Sequence, residues 1–193
     1  MRSSAWRMAA LALVTALVSA FAALATPALA SVTRVAPGRT FAAEASRYQN
    51  SVIARALVNN RTGTRVAANK VEWKNGAVVM VVPVTPDASP GGNCPTGFAQ
   101  HWACVFNQTQ WNGTMLEFHD MGYYQDLYSY GGSSWVTRSY YNYIGVRTWL
   151  NQYASHTNSG ASLCMSPDSL SGNYSGPAEH DEWIYVSTNS LSC

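Results

Sequence analysis

The side chains able to move protons or hold a metal are few in this 193-residue chain. The candidates are His101, His119, His156 and His180, with the acids Asp120, Asp181 and Glu182. His119-Asp120 and His180-Asp181 are sequence neighbours, which on a strand sends the two side chains to opposite faces. They therefore do not converge on one substrate atom. No H-E-x-x-H, G-x-S-x-G or phosphate-binding glycine loop is present, so the common metalloprotease, esterase and nucleotide signatures are missing. Glycoside hydrolysis needs two carboxylates set across a bond, and the chain nominates no such pair. The expectation is a protein that is not an enzyme.

The remaining reactive groups are four thiols, Cys94, Cys104, Cys164 and Cys193. None has the C-x-x-C spacing of a zinc ribbon or a redox site, so metal ligation by them is not expected. Their setting points to oxidation. Arg2 and Arg7 precede an apolar run over 8–25, and Ala28-Leu29-Ala30 follows Pro27. A basic start, an apolar middle and an A-x-A ending make up a secretory signal peptide, residues 1–30. Export then leaves 163 residues, with no membrane attachment after cleavage, and four cysteines in an oxidising compartment read as two disulfides. Three connectivities are possible; Cys94–Cys104 and Cys164–Cys193 are favoured because each closes a local loop.

Charge divides the exported part. Residues 31–91 hold eight basic side chains against Glu44, Glu72 and Asp87, whereas 92–193 hold Arg138 and Arg147 against seven acids. The basic residues form no run and have no interleaved aromatics, so no nucleic-acid partner is expected. Mutual attraction of the two halves, weakened by salt, is the expected consequence.

The elements that must position any site fall into two regions. Residues 39–58 repeat apolar positions at Phe41, Ala45, Tyr48, Val52 and Ala56, the three-four spacing of an amphipathic helix. VEWKNGAVVMVVP follows, with Asn75-Gly76 as a two-residue hairpin turn between apolar flanks. Helix and hairpin together are too small for a core of their own. Residues 31–83 are therefore expected to be a cover or pro-segment, joined by a Pro/Gly-rich linker, 84–92, to a domain over 93–193. That domain holds five Trp, ten Tyr and three Phe between closely spaced turn residues. The fold class expected is mainly β, an antiparallel sandwich, with aromatics and disulfides offsetting its limited size.

Within it lies FNQTQWNG, where Phe106, Trp111 and Gly113 have the spacing aromatic-x4-aromatic-x-Gly, with Ser139 further on. The order CPTG, C-V-F-x4-W-x-G-T-M-L-E-F, D-L-Y-S-Y-G-G and S-Y-Y-N resembles peptidase inhibitor family I36, secreted proteins of actinobacteria. The resemblance is good over roughly residues 69–150 and loose elsewhere. It implies a βγ-crystallin-like Greek-key fold, with Phe106, Trp111, Gly113 and Ser139 on its four signature positions. A second key is expected; Tyr153-x4-Asn158-x-Gly160 has the spacing but puts Asn158 where an aromatic belongs.

Many crystallin-like domains bind calcium through an acidic or amide residue and a Ser/Thr-Ser pair. Here Trp135 and Arg138 interrupt the matching stretch over 134–139, and the stretch over 180–185 lacks the pair. Calcium is disfavoured, since carboxylate oxygens supply most of its affinity, and no other cofactor is expected. The resemblance further implies a monomeric inhibitor whose partner is a secreted metalloprotease of the thermolysin type. Such proteases favour a large apolar residue just after the scissile bond. Leu163-Cys164-Met165 offers one beside a cysteine tethered to Cys193, and is the expected inhibitory loop. The alternative is a carbohydrate-binding or cell-surface interaction module, with Trp102, Trp111 and Trp135 as its platform.

Overall fold

A computed structural model describes residues 37–90, 94, 102–122, 124–151, 162–174, 183–189 and 193. The leader, residues 1–30, and the Tyr153/Asn158/Gly160 spacing lie outside the described residues. The chain runs as α1 (Pro37–Asn59), β1 (Thr64–Ala67), β2 (Lys70–Trp73), β3 (Val78–Val81), β4 (Ala103–Phe106), β5 (Met115–Phe118) and β6 (Tyr124–Asp126). It continues through α2 (Leu127–Gly131), β7 (Ser139–Asn142), β8 (Thr148–Asn151), β9 (Ser162–Met165), β10 (Ser169–Ser171) and β11 (Trp183–Val186). The protein is mainly β, with two antiparallel sheets and two helices among the described residues.

The first sheet has the order β1-β2-β3-β5-β4-β7-β10, and the second β6-β11-β8-β9. From β4 onward the strands form two successive sets of four. In each set the fourth strand lies beside the first, β7 against β4 and β11 against β8. The third strand of each set has crossed to the other sheet: β6 pairs with β11, and β10 pairs with β7. Each sheet is thus completed by a strand from the other set.

Strand alternation builds the core between the sheets. Val71, Trp73, Val78, Met80, Val105, Leu116, Phe118 and Tyr140 point inward and meet Leu150, Met165, Ile184 and Val186. The alternate positions Val79, Val81, Cys104, Phe106 and Met115 form a second apolar cluster with Cys94. Strands β3, β4 and β5 are therefore buried on both faces, which is why VVMV, ACVF and MLEF read as near-continuous apolar runs.

The boundary placed at 84–92 divides the sequence but not the sheet. β3, from the expected cover, pairs with β5 over Val78↔Phe118 to Val81↔Met115, and residues 36–193 form one compact unit. Local pattern showed that the hairpin needed a partner. It did not show that its outer strand supplies the neighbour that β5 lacks. The Pro-rich run is also anchored, with Pro83 and Pro90 buried and the Ala88 carbonyl accepting from the Gly113 N–H at 2.9 Å.

The hairpin turn differs from the expected two-residue form. Trp73↔Val78 is the last pair, so four residues make the loop, and Lys74, Asn75 and Gly76 all have positive φ (52°, 55° and 89°). The wider loop places the Lys74 ammonium against β6 of the second sheet and the connection leading to it, 3.2 Å from Gln125 Oε1 and 3.6 Å from Asp120 Oδ2. This is one contact through which the basic and acidic halves attract.

Helix α1 runs 23 residues. Ala45 and Ala56 are buried and Tyr48 and Val52 half-buried as their spacing implies, but Phe41 is 55% exposed. Its anchoring half packs on α2, with Ile53 and Ala56 reaching the core. Asp126 caps α2: its carboxylate accepts from the Tyr128 N–H at 2.9 Å and the Ser129 hydroxyl at 2.6 Å. The cap holds Tyr130 edge-on to Trp73, with centroids 5.2 Å apart. Burial, then the charges of Asp120 and Asp126, pushes the Tyr130 phenol up to about 12.

Candidate functional site

The four signature residues meet at one end of the first sheet. Phe106, last in β4, pairs with Met115 on one side and Ser139 on the other. Between β4 and β5 the chain folds back on itself. Gln110 and Trp111 have positive φ (55° and 57°), and Gly113 lies at φ 79°. A Cβ on Gly113 would meet Asn107 Oδ1 at 2.1 Å and Gln108 Cγ at 2.7 Å, so only glycine fits this bend. Asn107 closes it, its Oδ1 accepting from the Thr114 N–H at 2.8 Å.

Ser139 locks the fold-back. Its hydroxyl donates to the Gln108 carbonyl at 2.7 Å and accepts from the Trp111 N–H at 3.0 Å, and the residue has no exposure. Ser139→Ala removes both bonds at once and leaves two main-chain groups without a partner. The expected cost is about 2 kcal/mol, read as a lowered denaturation midpoint with an unchanged slope; an unaltered midpoint would show that water replaces the hydroxyl at no cost.

The fold-back lays Trp111 over Tyr141, with centroids 4.9 Å apart and planes 18° apart. Tyr143 continues the stack at 5.3 Å and 16°. Trp102 rests against His119 at 5.3 Å, and Trp135 is 2% exposed with its indole N–H donating to Thr137 Oγ1. Of the three tryptophans of the sugar-platform reading, Trp135 is therefore buried, Trp111 has one ring face stacked on Tyr141, and Trp102 lies tilted at 51° to His119. A saccharide needs an open ring face to stack on.

The sulfur pairs are Cys94–Cys104, with Cα atoms 6.0 Å apart, and Cys164–Cys193, at 5.8 Å. The expected inhibitory stretch is placed differently from a loop. Leu163, Cys164 and Met165 lie in β9, in register with Leu150, Trp149 and Thr148 of β8. Met165 has no exposure and belongs to the core, and the Asn142 amide donates to its carbonyl at 2.9 Å. The apolar spacing reflected a strand with its inward side chain in the interior. Presenting Met165 to a protease would require pulling β9 out of its sheet. His101, His156, His180, Asp181 and Glu182 lie outside the described residues. Among the described residues no three His, Cys, Asp or Glu side chains are grouped to hold a metal ion, and no helix is long and apolar enough to cross a membrane.

Two features escaped the sequence reading. One is Glu117, whose partners across the sheet are Val79 and Cys104. It sits at 7% exposure on the face of the second apolar cluster, and burial pushes its carboxyl up to about 7, opposed by Lys70 and reinforced by Glu72. Its signal was a charged residue inside an otherwise apolar strand, MLEF.

The other is the connection from β5 to β6, which crosses from the first sheet to the second. The His119 N–H donates to the Ala77 carbonyl at 2.9 Å, and the Gly122 N–H donates to the Val186 carbonyl at 2.9 Å. Asp120 pairs with Lys74, and Gly122 turns at φ 90°. Between these anchors Met121 stands 48% exposed. A methionine between Asp120 and a turn glycine was its only mark in the sequence.

Compared with protein families, characterised proteins and solved structures, the chain matches none.

Proposed function

We propose that this chain is a secreted protein inhibitor of extracellular metalloproteases of the thermolysin type, built on paired crystallin-like Greek keys. The observation that carries the reading is the Ser139 hydroxyl joined to Gln108 and Trp111 beneath a positive-φ Gly113. These are the positions on which the resemblance to the inhibitor family rests, and a tight fold-back locked by a serine hydroxyl favours reading them as such a key. The arrangement of strands supports the scaffold part. A fourth strand returning beside the first is a feature of Greek-key connections, and the exchange of third strands between the sheets favours reading the two sets as paired keys.

Inhibition on such a scaffold is a matter of rigidity. A loop held in extended form before binding loses little conformational entropy in a protease cleft. Disulfides and a core closed by long-range strand pairing hold that form without a metal of the inhibitor's own. The target's zinc supplies an open coordination position for a main-chain carbonyl. The scaffold is suited to an oxidising compartment, since both disulfides are formed and no described cysteine is free.

The test is titration of thermolysin with the protein from Ser31 onward. Activity is expected to fall linearly to an equivalence point near one inhibitor per enzyme, and the effect to weaken on reduction of the disulfides. Full protease activity in the presence of excess protein would overturn the proposal. Retention on insoluble polysaccharide in that case would favour the carbohydrate-binding alternative.

A further inference from the structure

We infer that residues 119–122, with Met121 at the tip, form the surface that enters the protease cleft; the inference rests on the inhibitor reading above. An active-site cleft admits a projecting, extended segment and excludes helices and paired strands. That requirement sorts the exposed large apolar side chains among the described residues. Phe41 and Val58 lie on α1, Val66 on β1 and Leu170 on β10. Val84 and Met121 remain, both between strands. Val84 follows the buried Pro83, in a run with prolines at 83, 86 and 90. Met121 instead lies exposed in a connection whose two ends are hydrogen-bonded to the β2–β3 turn and to β11.

The anchoring decides what the loop can do. The bonds from His119 and Gly122 fix the backbone on either side of Met121, two residues before it and one after. The Lys74 ion pair, at 3.6 Å, restrains the Asp120 side chain and offsets its charge. A Cβ at Gly122 would approach Thr188 Cγ2 at 3.1 Å, so the chain runs close to the segment that follows β11 immediately past Met121. The loop is thus pre-organised by contacts to the β2–β3 turn and to β11, on a scaffold that the disulfides help to hold closed. It presents an unbranched apolar side chain suited to filling a pocket of imperfect shape. In the cleft, Met121 occupies the apolar pocket that receives the residue after the scissile bond. The Asp120 carbonyl then faces the zinc.

Thermolysin is titrated with the protein from Ser31 onward and with its variants Met121→Asp, Met121→Leu and Val84→Asp, each checked for fold by near-UV circular dichroism. Met121→Asp puts a charge into an apolar pocket and is expected to raise the inhibition constant about 100-fold. Met121→Leu and Val84→Asp are expected to stay within about threefold of the parent. Inhibition by Met121→Asp equal to the parent's would overturn the loop assignment and leave the inhibitor reading standing. A parent protein that does not inhibit would overturn both. A second measurement needs no variant: peroxide should oxidise the exposed Met121 ahead of the buried Met80, Met115 and Met165, and bound thermolysin should suppress it. Equal oxidation of Met121 in the free and bound protein would also overturn the assignment.

Discussion

Deleting residues 37–82 is expected to abolish cooperative folding of the remainder rather than to release an independent domain. The deletion removes β1, β2 and β3 and leaves β5 as the edge of the first sheet. It strips Val71, Trp73, Val78, Met80 and Val82 from the main core, Val79 and Val81 from the second cluster, and Ile53 and Ala56 of α1. Fully burying a side chain of this kind contributes about 2 kcal/mol, and a domain's net stability is only about 5–15 kcal/mol. The lost side chains exceed that margin. The new edge would expose unpaired β5 main chain beside Met115, Leu116 and Phe118, a template for aggregation. The truncated protein is therefore expected to elute as aggregate and to lack a sigmoidal melt. A monomeric, cooperatively unfolding fragment from residue 83 onward would show that the hairpin is accessory. A single cut within 83–90 of the whole protein is a different experiment, because β3 stays bonded to β5.

Glu117→Gln is expected to make the protein more stable above neutral pH and to flatten its pH profile. A free glutamate loses its proton near 4.5, whereas burial holds Glu117 protonated up to about 7. Between these values the folded protein binds the extra proton, so stability falls as pH rises and levels off above about 7. Lys70 opposes the effect without cancelling it, and Glu72, itself 2.9 Å from Lys70, adds to it. Glutamine has the shape of the protonated acid and no charge to desolvate. The gain at pH 8 should be on the order of 3 kcal/mol, shrinking as the pH falls and vanishing below about 4.5. Thermal midpoints of parent and variant, measured across pH 4.5–8, are expected to converge at the acid end and separate at the alkaline end. Parallel curves would show that Glu117 titrates as an ordinary surface carboxyl. The group lies beside Cys104 of the first disulfide, so ionisation is expected to loosen that corner before the rest of the core.

The two expectations differ in how far they could be read before folding. Alternation in MLEF placed Glu117 on one face of a strand, but both faces of β5 proved to be covered. Its neighbours come from Val79, 38 residues earlier, and Cys104, 13 residues earlier. The hairpin carried its own turn residues, yet nothing local determined whether its outer strand would stay an edge.

What the sequence determined alone is what short-range geometry controls. The helix over α1 follows from side chains three and four apart, the mainly β character from alternation and turns, and the bend at Gly113 from a φ that other residues resist. The short loop between Cys94 and Cys104 favoured their pairing among three connectivities, and the structure fixed it. Only the tertiary structure decided which strands are neighbours. It moved β6 and β10 to opposite sheets, joined β3 to β5, turned the side chain of Met165 inward and left Met121 outside. These choices depend on the burial available once both sheets face each other. That quantity belongs to contacts between distant segments and is not written in any one of them.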